Sequence, residues 1–105
     1  MEATAIVESY IDNPDFDVAT FAREMCMSRT LLFTKLKALT GQTPNDFILS
    51  LRLKKATEKL RNDPNALIAD IAFDYGFSNP SYFIRCFKNA YDITPAAYRR
   101  KYTNS

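Results

Sequence analysis

The sequence predicts an all-α fold, in which seven helices form two helix-turn-helix subdomains joined by a long central linker helix. Three observations lead there. The chain of 105 residues holds only two glycines, and the positive-φ turns of a multistranded sheet usually need Gly or Asn. Apolar residues recur at i, i+3, i+4 and i+7 almost throughout, which is the period of a half-buried helix. The second half of the chain also repeats the first. With 47% apolar and 25% charged residues, the composition is that of one small globule rather than a disordered tail.

Each helix has a start and a stop signal. The first covers residues 3–12, with Ile6, Val7, Tyr10 and Ile11 inward, and ends before Asn13-Pro14 because proline disfavours a helical residue ahead of it. Asp17 caps a second helix whose inward stripe is Val18, Phe21, Ala22 and Met25. Ser28 caps a third, with Leu32, Leu36 and Leu39 inward and Gly41 just past its end. Thr43-Pro44 supplies a cap followed by proline at the first helical position, opening a fourth helix that runs to about Arg61. Its stripe is Leu49, Leu53, Ala56 and Leu60, widened by Phe47, Ile48 and Leu51. After the break at Asn62-Asp63-Pro64-Asn65, a fifth helix carries Ile68, Ile71, Ala72 and Tyr75 and stops at Gly76. Asn79-Pro80 opens a sixth with Phe83, Cys86, Phe87 and Ala90, and Thr94-Pro95 a short seventh with Tyr98. The single domain, 1–105, therefore divides into a first half (3–42), a linker helix (43–62) and a second half (65–102).

The repeat is the strongest organisational feature. Val18, Phe21, Ala22 and Ser28 stand 50 residues before Ile68, Ile71, Ala72 and Ser78. Beyond that turn the offset is 51: Leu32, Leu36, Lys37, Thr43, Pro44 and Phe47 match Phe83, Phe87, Lys88, Thr94, Pro95 and Tyr98. Each unit is a short helix, a tight turn and a second helix opened by a polar cap. That is a helix-turn-helix layout, whose second helix enters a major groove by its N-terminal end. Met27 and Phe77, in the two turns, are placed to plug the space between the paired helices.

Charge is distributed in step with the repeat. Residues 1–27 carry six acids against one base, and residues 28–61 eight bases against two acids. Residues 62–78 hold three acids and no base, and residues 79–105 five bases against one acid. The basic blocks hold the second helix of each unit, with Arg29, Lys35 and Lys37 in one and Arg85 and Lys88 in the other. A polyanion would suit them, although solvated helix faces account for charge alone equally well. The cluster Lys54, Lys55, Lys59 and Arg61 reads as the solvated face of the linker helix. The aromatic residues Tyr75, Phe77, Tyr82, Phe83, Phe87 and Tyr98 fall on inward stripes and read as core.

Other chemistries lack their parts. There is no histidine, and Cys26 and Cys86 lie far apart, so no histidine triad, metal cage or disulfide framework is expected. No phosphate-cradling glycine loop stands in the sequence. No catalytic residue, metal site or cofactor is expected, and no run is apolar enough to cross a membrane. A cytoplasmic, non-enzymatic domain follows as the expectation.

At this level the residues resemble a known family. Ile71-Ala72, Gly76-Phe77-Ser78, Tyr82-Phe83, Arg85, Phe87-Lys88, Thr94-Pro95 and Tyr98-Arg99 resemble the C-terminal pattern of AraC/XylS-type bacterial transcription regulators. Met27-Ser28, Leu32, Leu36-Lys37, Gly41-Gln42-Thr43-Pro44, Ile48, Arg52-Leu53 and Ala56 extend the likeness over residues 3–102. In style the first half resembles the output domains of hybrid two-component regulators. Two departures concern stability: Leu67 stands where many relatives have a Ser or Thr cap, and Asp92 where glycine is frequent.

The resemblance implies sequence-specific binding to double-stranded DNA, with both second helices in adjacent major grooves. It turns Arg29, Thr30, Phe33 and Thr34 toward base edges in the first half, and Asn79, Ser81, Ile84 and Arg85 in the second. Arg85 leads as a base contact, and Arg29 pairs either with guanine O6/N7 or with a phosphate. Ser28, Lys37, Gln42, Thr43 and Asn45, with Lys88, Thr94, Arg99 and Arg100, are expected at phosphates. The linker helix, at about 18 residues, is roughly 27 Å long. Adjacent grooves lie ~34 Å apart on one face of DNA, so a bend in the duplex is expected. A sensor or receiver part of a longer chain is implied as a partner, and RNA polymerase is a further one. The competing reading is a helical protein–protein interaction module with basic faces.

Overall fold

A computed structural model describes residues 2–103, and among them there are seven α-helices and no strand. They are α1 (Glu2–Ser9), α2 (Val18–Glu24), α3 (Arg29–Thr40), α4 (Pro44–Asn62), α5 (Ile68–Asp74), α6 (Pro80–Tyr91) and α7 (Pro95–Thr103). The caps follow from the side chains. Oxygens of Asp17, Ser28, Thr43 and Asn79 each accept from an N–H in the first turn of the helix they precede. The backbone N–H of Thr20 holds the Asp17 carboxyl below its ordinary pKa, because a hydrogen bond to the ionised form favours that form. Leu67 offers α5 no such bond.

α4 divides the molecule into two cores. Its N-terminal part gives Phe47 and Ile48 to a first core with Ala3, Val7, Phe16, Phe21, Ala22, Leu32 and Leu36. Its C-terminal part gives Leu53, Ala56 and Leu60 to a second, with Ile71, Ala72, Phe77, Phe83, Phe87 and Tyr98. Phe83 and Phe87 lie edge to face with ring centroids 5.8 Å apart, and Phe87 meets Tyr98 at 5.5 Å. Such edge-on pairs set the positive rim of one ring against the negative face of the next. The result is an elongated body measuring 45 × 23 × 22 Å.

Several expectations are corrected here. The first helix stops at Ser9. Tyr10 and Ile11 instead donate to the carbonyls three residues back, at 3.1 and 3.3 Å, a tighter turn that brings the chain round before Pro14. Leu39 is 73% exposed and Ala90 is exposed as well. Both occupy the last turn of their helix, at equivalent places in the repeat, where α3 and α6 run past the cores they helped to define. Tyr82 is 48% exposed rather than core. It lies at the N-terminal end of α6, over Phe77 at 6.2 Å.

The linker cations are not a simple solvated face. Lys55 pairs with Glu8 at 3.0 Å, Lys59 with Asp63 at 3.3 Å, and Arg61 donates to the Tyr98 hydroxyl at 2.8 Å. Lys55 and Arg61 therefore hold α4 to α1 and α7, Lys59 pairs with the C-cap of α4 itself, and Lys54 is exposed.

Candidate nucleic-acid interface

The two turns are built alike, hydrogen bond for hydrogen bond. After α2, Cys26 N–H donates to Arg23 O at 3.0 Å and Met27 N–H to Ala22 O at 2.9 Å. After α5, Gly76 N–H donates to Phe73 O at 3.2 Å and Phe77 N–H to Ala72 O at 2.9 Å. Each is a Schellman turn, which satisfies the last carbonyls of a helix by placing one residue in the left-handed region. Those residues are Cys26, with φ 57°, and Gly76, with φ 86°. The residue after each, Met27 or Phe77, packs into the adjoining core.

The structure also locates the extra residue of the second unit. Ser28 caps α3 and Asn79 caps α6, so these two are the structural equivalents and Ser78 is the inserted residue. With that register, Thr30 matches Ser81, Phe33 matches Ile84, and Thr34 matches Arg85. All six are exposed, as are Arg29 and Asn79. Phe33 stands 47% exposed and so points away from the core. The Thr34 hydroxyl donates to Thr30 O at 3.0 Å, and the Arg85 guanidinium lies over the Tyr82 ring at 5.8 Å.

Beside α3 these residues line a groove of 510 Å³, where Arg29, Thr30 and Phe33 face Thr43, Pro44 and Asn45 at the start of α4. Base-side and phosphate-side expectations of the first half thus meet at one concave surface. The phosphate-side residues differ in how far they are already engaged. Lys37, Lys88, Asn45 and Arg100 are exposed. Ser28 and Thr43 accept from Leu31 N–H and Asp46 N–H, at 3.1 and 3.2 Å. Thr94 likewise accepts from Ala97 N–H at 3.2 Å. Gln42 donates its amide to Ser50 Oγ at 2.6 Å. Arg99 is half-buried and donates to the carbonyls of Asp63 and Ala66, tying α7 to the loop after α4.

A residue that the expected site left out holds the two halves together. Arg52, in the middle of α4, donates from Nη1 to Gly76 O at 3.1 Å and from Nη2 to Asn13 O at 2.8 Å. Its burial lowers the guanidinium pKa, against a smaller opposing effect of Tyr82. The sequence does carry a signal for it. At 100° per residue Arg52 falls within 60° of both Leu49 and Ala56, so a cation interrupts the apolar stripe.

Comparison with known proteins identifies the family. A family model described as a helix-turn-helix domain matches residues 21–101. The chain is 41% identical over 102 residues to histidine kinase P4 of Formosa agariphila, covering 97% of this chain and 7% of that protein. It is 35% identical over 85 residues to the HTH-type transcriptional activator RhaS of Mannheimia succiniciproducens, covering 81% of this chain and 31% of RhaS. It therefore spans only a small part of these relatives. Among solved structures, the DNA-binding domain of AdpA in complex with a target DNA is 27% identical. It superposes with a TM-score of 0.89, over 98% of this chain and 91% of that one. The chain belongs to the helix-turn-helix domain family, in its AraC/XylS-type DNA-binding form.

Proposed function

We propose that the chain recognises a specific double-stranded DNA sequence for transcription regulation, with α3 and α6 reading adjacent major grooves. The observation that carries this is the division of labour among cations. Among the described residues, no salt bridge involves Arg29, Lys35, Lys37, Arg85 or Lys88 on the two reading helices. On the linker, by contrast, Lys55, Lys59 and Arg61 are engaged by neighbouring residues. Charge left unpaired on a protruding helix is available to a polyanion, whereas a basic adaptor surface has no need of this pattern twice.

Arg29, Thr30, Phe33 and Thr34, with Asn79, Ser81, Ile84 and Arg85, contact bases. Lys37, Lys88, Asn45, Arg100 and the capped helix starts at Ser28, Thr43 and Thr94 take phosphates, as free N–H groups and the helix dipole favour. Gln42 and Arg99 join them only by giving up bonds made within the fold. The domain serves as the output part of a longer cytoplasmic chain with sensor or receiver domains, and it acts with RNA polymerase. The likeness to a short part of histidine kinase P4 supports the first of these, and no helix among the described residues is long and apolar enough to cross a membrane.

Selection of bound sites from random duplex DNA, followed by a salt titration on the best site, tests the proposal. Six to eight phosphate contacts give a slope of log affinity against log salt of about −5 to −7. A slope near zero, or no sequence enriched, overturns it.

A further inference from the structure

We propose that Arg52 is the positioning residue that fixes α3 relative to α6, and thereby sets the half-site spacing that one chain can read. The inference rests on the DNA-reading role above. Arg52 reaches 39 residues back along the chain to Asn13 O and 24 forward to Gly76 O. Asn13 lies in the loop between α1 and α2, and Gly76 is the left-handed residue of the second helix-turn-helix turn. One planar fork therefore ties the scaffold of the first reading head to the turn of the second. The two halves also meet directly. A Cβ at Gly76 would lie 2.6 Å from Ile11 O and 2.8 Å from Arg52 Cζ, so the second turn presses against the loop that follows α1.

Packing alone does not account for an arginine here. Its Nε is buried without a hydrogen-bond partner, and burial works against its charge. An apolar side chain of similar length would fill the space without that desolvation. What the guanidinium adds is direction: two donors at fixed angles, each accepted by a carbonyl from a different half. A lysine has a single charged nitrogen on a flexible stem and does not reproduce the fork. With the fork in place the halves move as one body. Without it, they are free to pivot about α4.

The test uses the 105-residue chain and duplexes in which the two selected half-sites are moved apart or together by one and two base pairs. Wild type is expected to prefer one spacing sharply. Arg52→Met and Arg52→Lys should lose about tenfold on that spacing, flatten the spacing profile, and bind a single half-site within twofold of wild type. A role confined to stability would weaken half-site and two-site binding in parallel, and that result, or an unchanged profile, overturns the proposal. Amide residual dipolar couplings give a second reading that needs no DNA. Wild type should fit one alignment tensor across α1–α3 and α5–α7, and folded Arg52→Lys should need two. One tensor for both proteins counts against the brace, even if Arg52→Met fails to fold. Wild type that binds no duplex, yet loses its single tensor on substitution, sinks the DNA reading and with it the spacing role, leaving Arg52 as a brace alone.

Discussion

Arg85 and Lys88 stand one turn apart on α6, are both exposed, and differ in chemistry more than in place. Arg85 is a planar fork lying over Tyr82, suited to the paired acceptors of a guanine edge. Lys88 is a flexible point charge suited to a phosphate oxygen. Arg85→Ala is therefore expected to relax preference at one base pair of the selected site, with a discrimination loss of about 1–3 kcal/mol. Lys88→Ala should weaken all sequences alike and reduce the salt slope by about one. Binding to a panel of single-base variants separates the two, and identical behaviour would refute the assignment. The outward placement of both was legible in the sequence because they fall on the face that the apolar period of α6 leaves to solvent. Arg52 was harder to read. Its carbonyl partners, Asn13 and Gly76, carry no side-chain signature that a spacing argument can use.

The helix-turn-helix element shows its duplication in the backbone as well as in side-chain type. Among the described residues, the four in the left-handed region form two repeat pairs: Cys26 with Gly76, and Gly41 with Asp92. Gly41 and Asp92 each donate their N–H four residues back, to Lys37 O and Lys88 O, and so end α3 and α6 in the same way. The pairs differ in what surrounds them. Nothing lies within 4 Å of a Cβ at Gly41, whereas Gly76 meets the Ile11 carbonyl. Gly41→Ala should accordingly cost only the left-handed strain, about 1–2 kcal/mol. Gly76→Ala should cost clearly more, since backbone must shift as well. Thermal or urea unfolding of the two variants checks the order, and equal losses would show that the close approach carries no cost. Helix starts and most stops were readable because caps and prolines act locally, but the early end of α1 and the pairing of Ser28 with Asn79 rather than Ser78 were not. The exposure of Leu39, Ala90 and Tyr82 was not, because periodicity gives the face of a helix but not where its packing partner ends.

At the scale of the whole molecule, α4 sets the reach. Its 19 residues span about 28 Å at a rise of ~1.5 Å each, against ~34 Å between adjacent grooves on one face of DNA. A body braced as proposed is expected to make up the difference by deforming the duplex, at a cost of order 1–6 kcal/mol for bends of 40–90°. In circular-permutation gel shifts, mobility of the complex should vary with the position of the site, and constant mobility would mean a straight duplex. The seven-helix order and the two-part division were evident from the sequence, while the joining of the parts was not. That joining depends on contacts between residues dozens of positions apart. The pairing of Lys55 with Glu8 and Lys59 with Asp63 has a consequence for approach from solution. With two lysines of the linker neutralised in this way, steering of a distant polyanion is expected to fall to the cations of α3 and α6, which enter no salt bridge among the described residues.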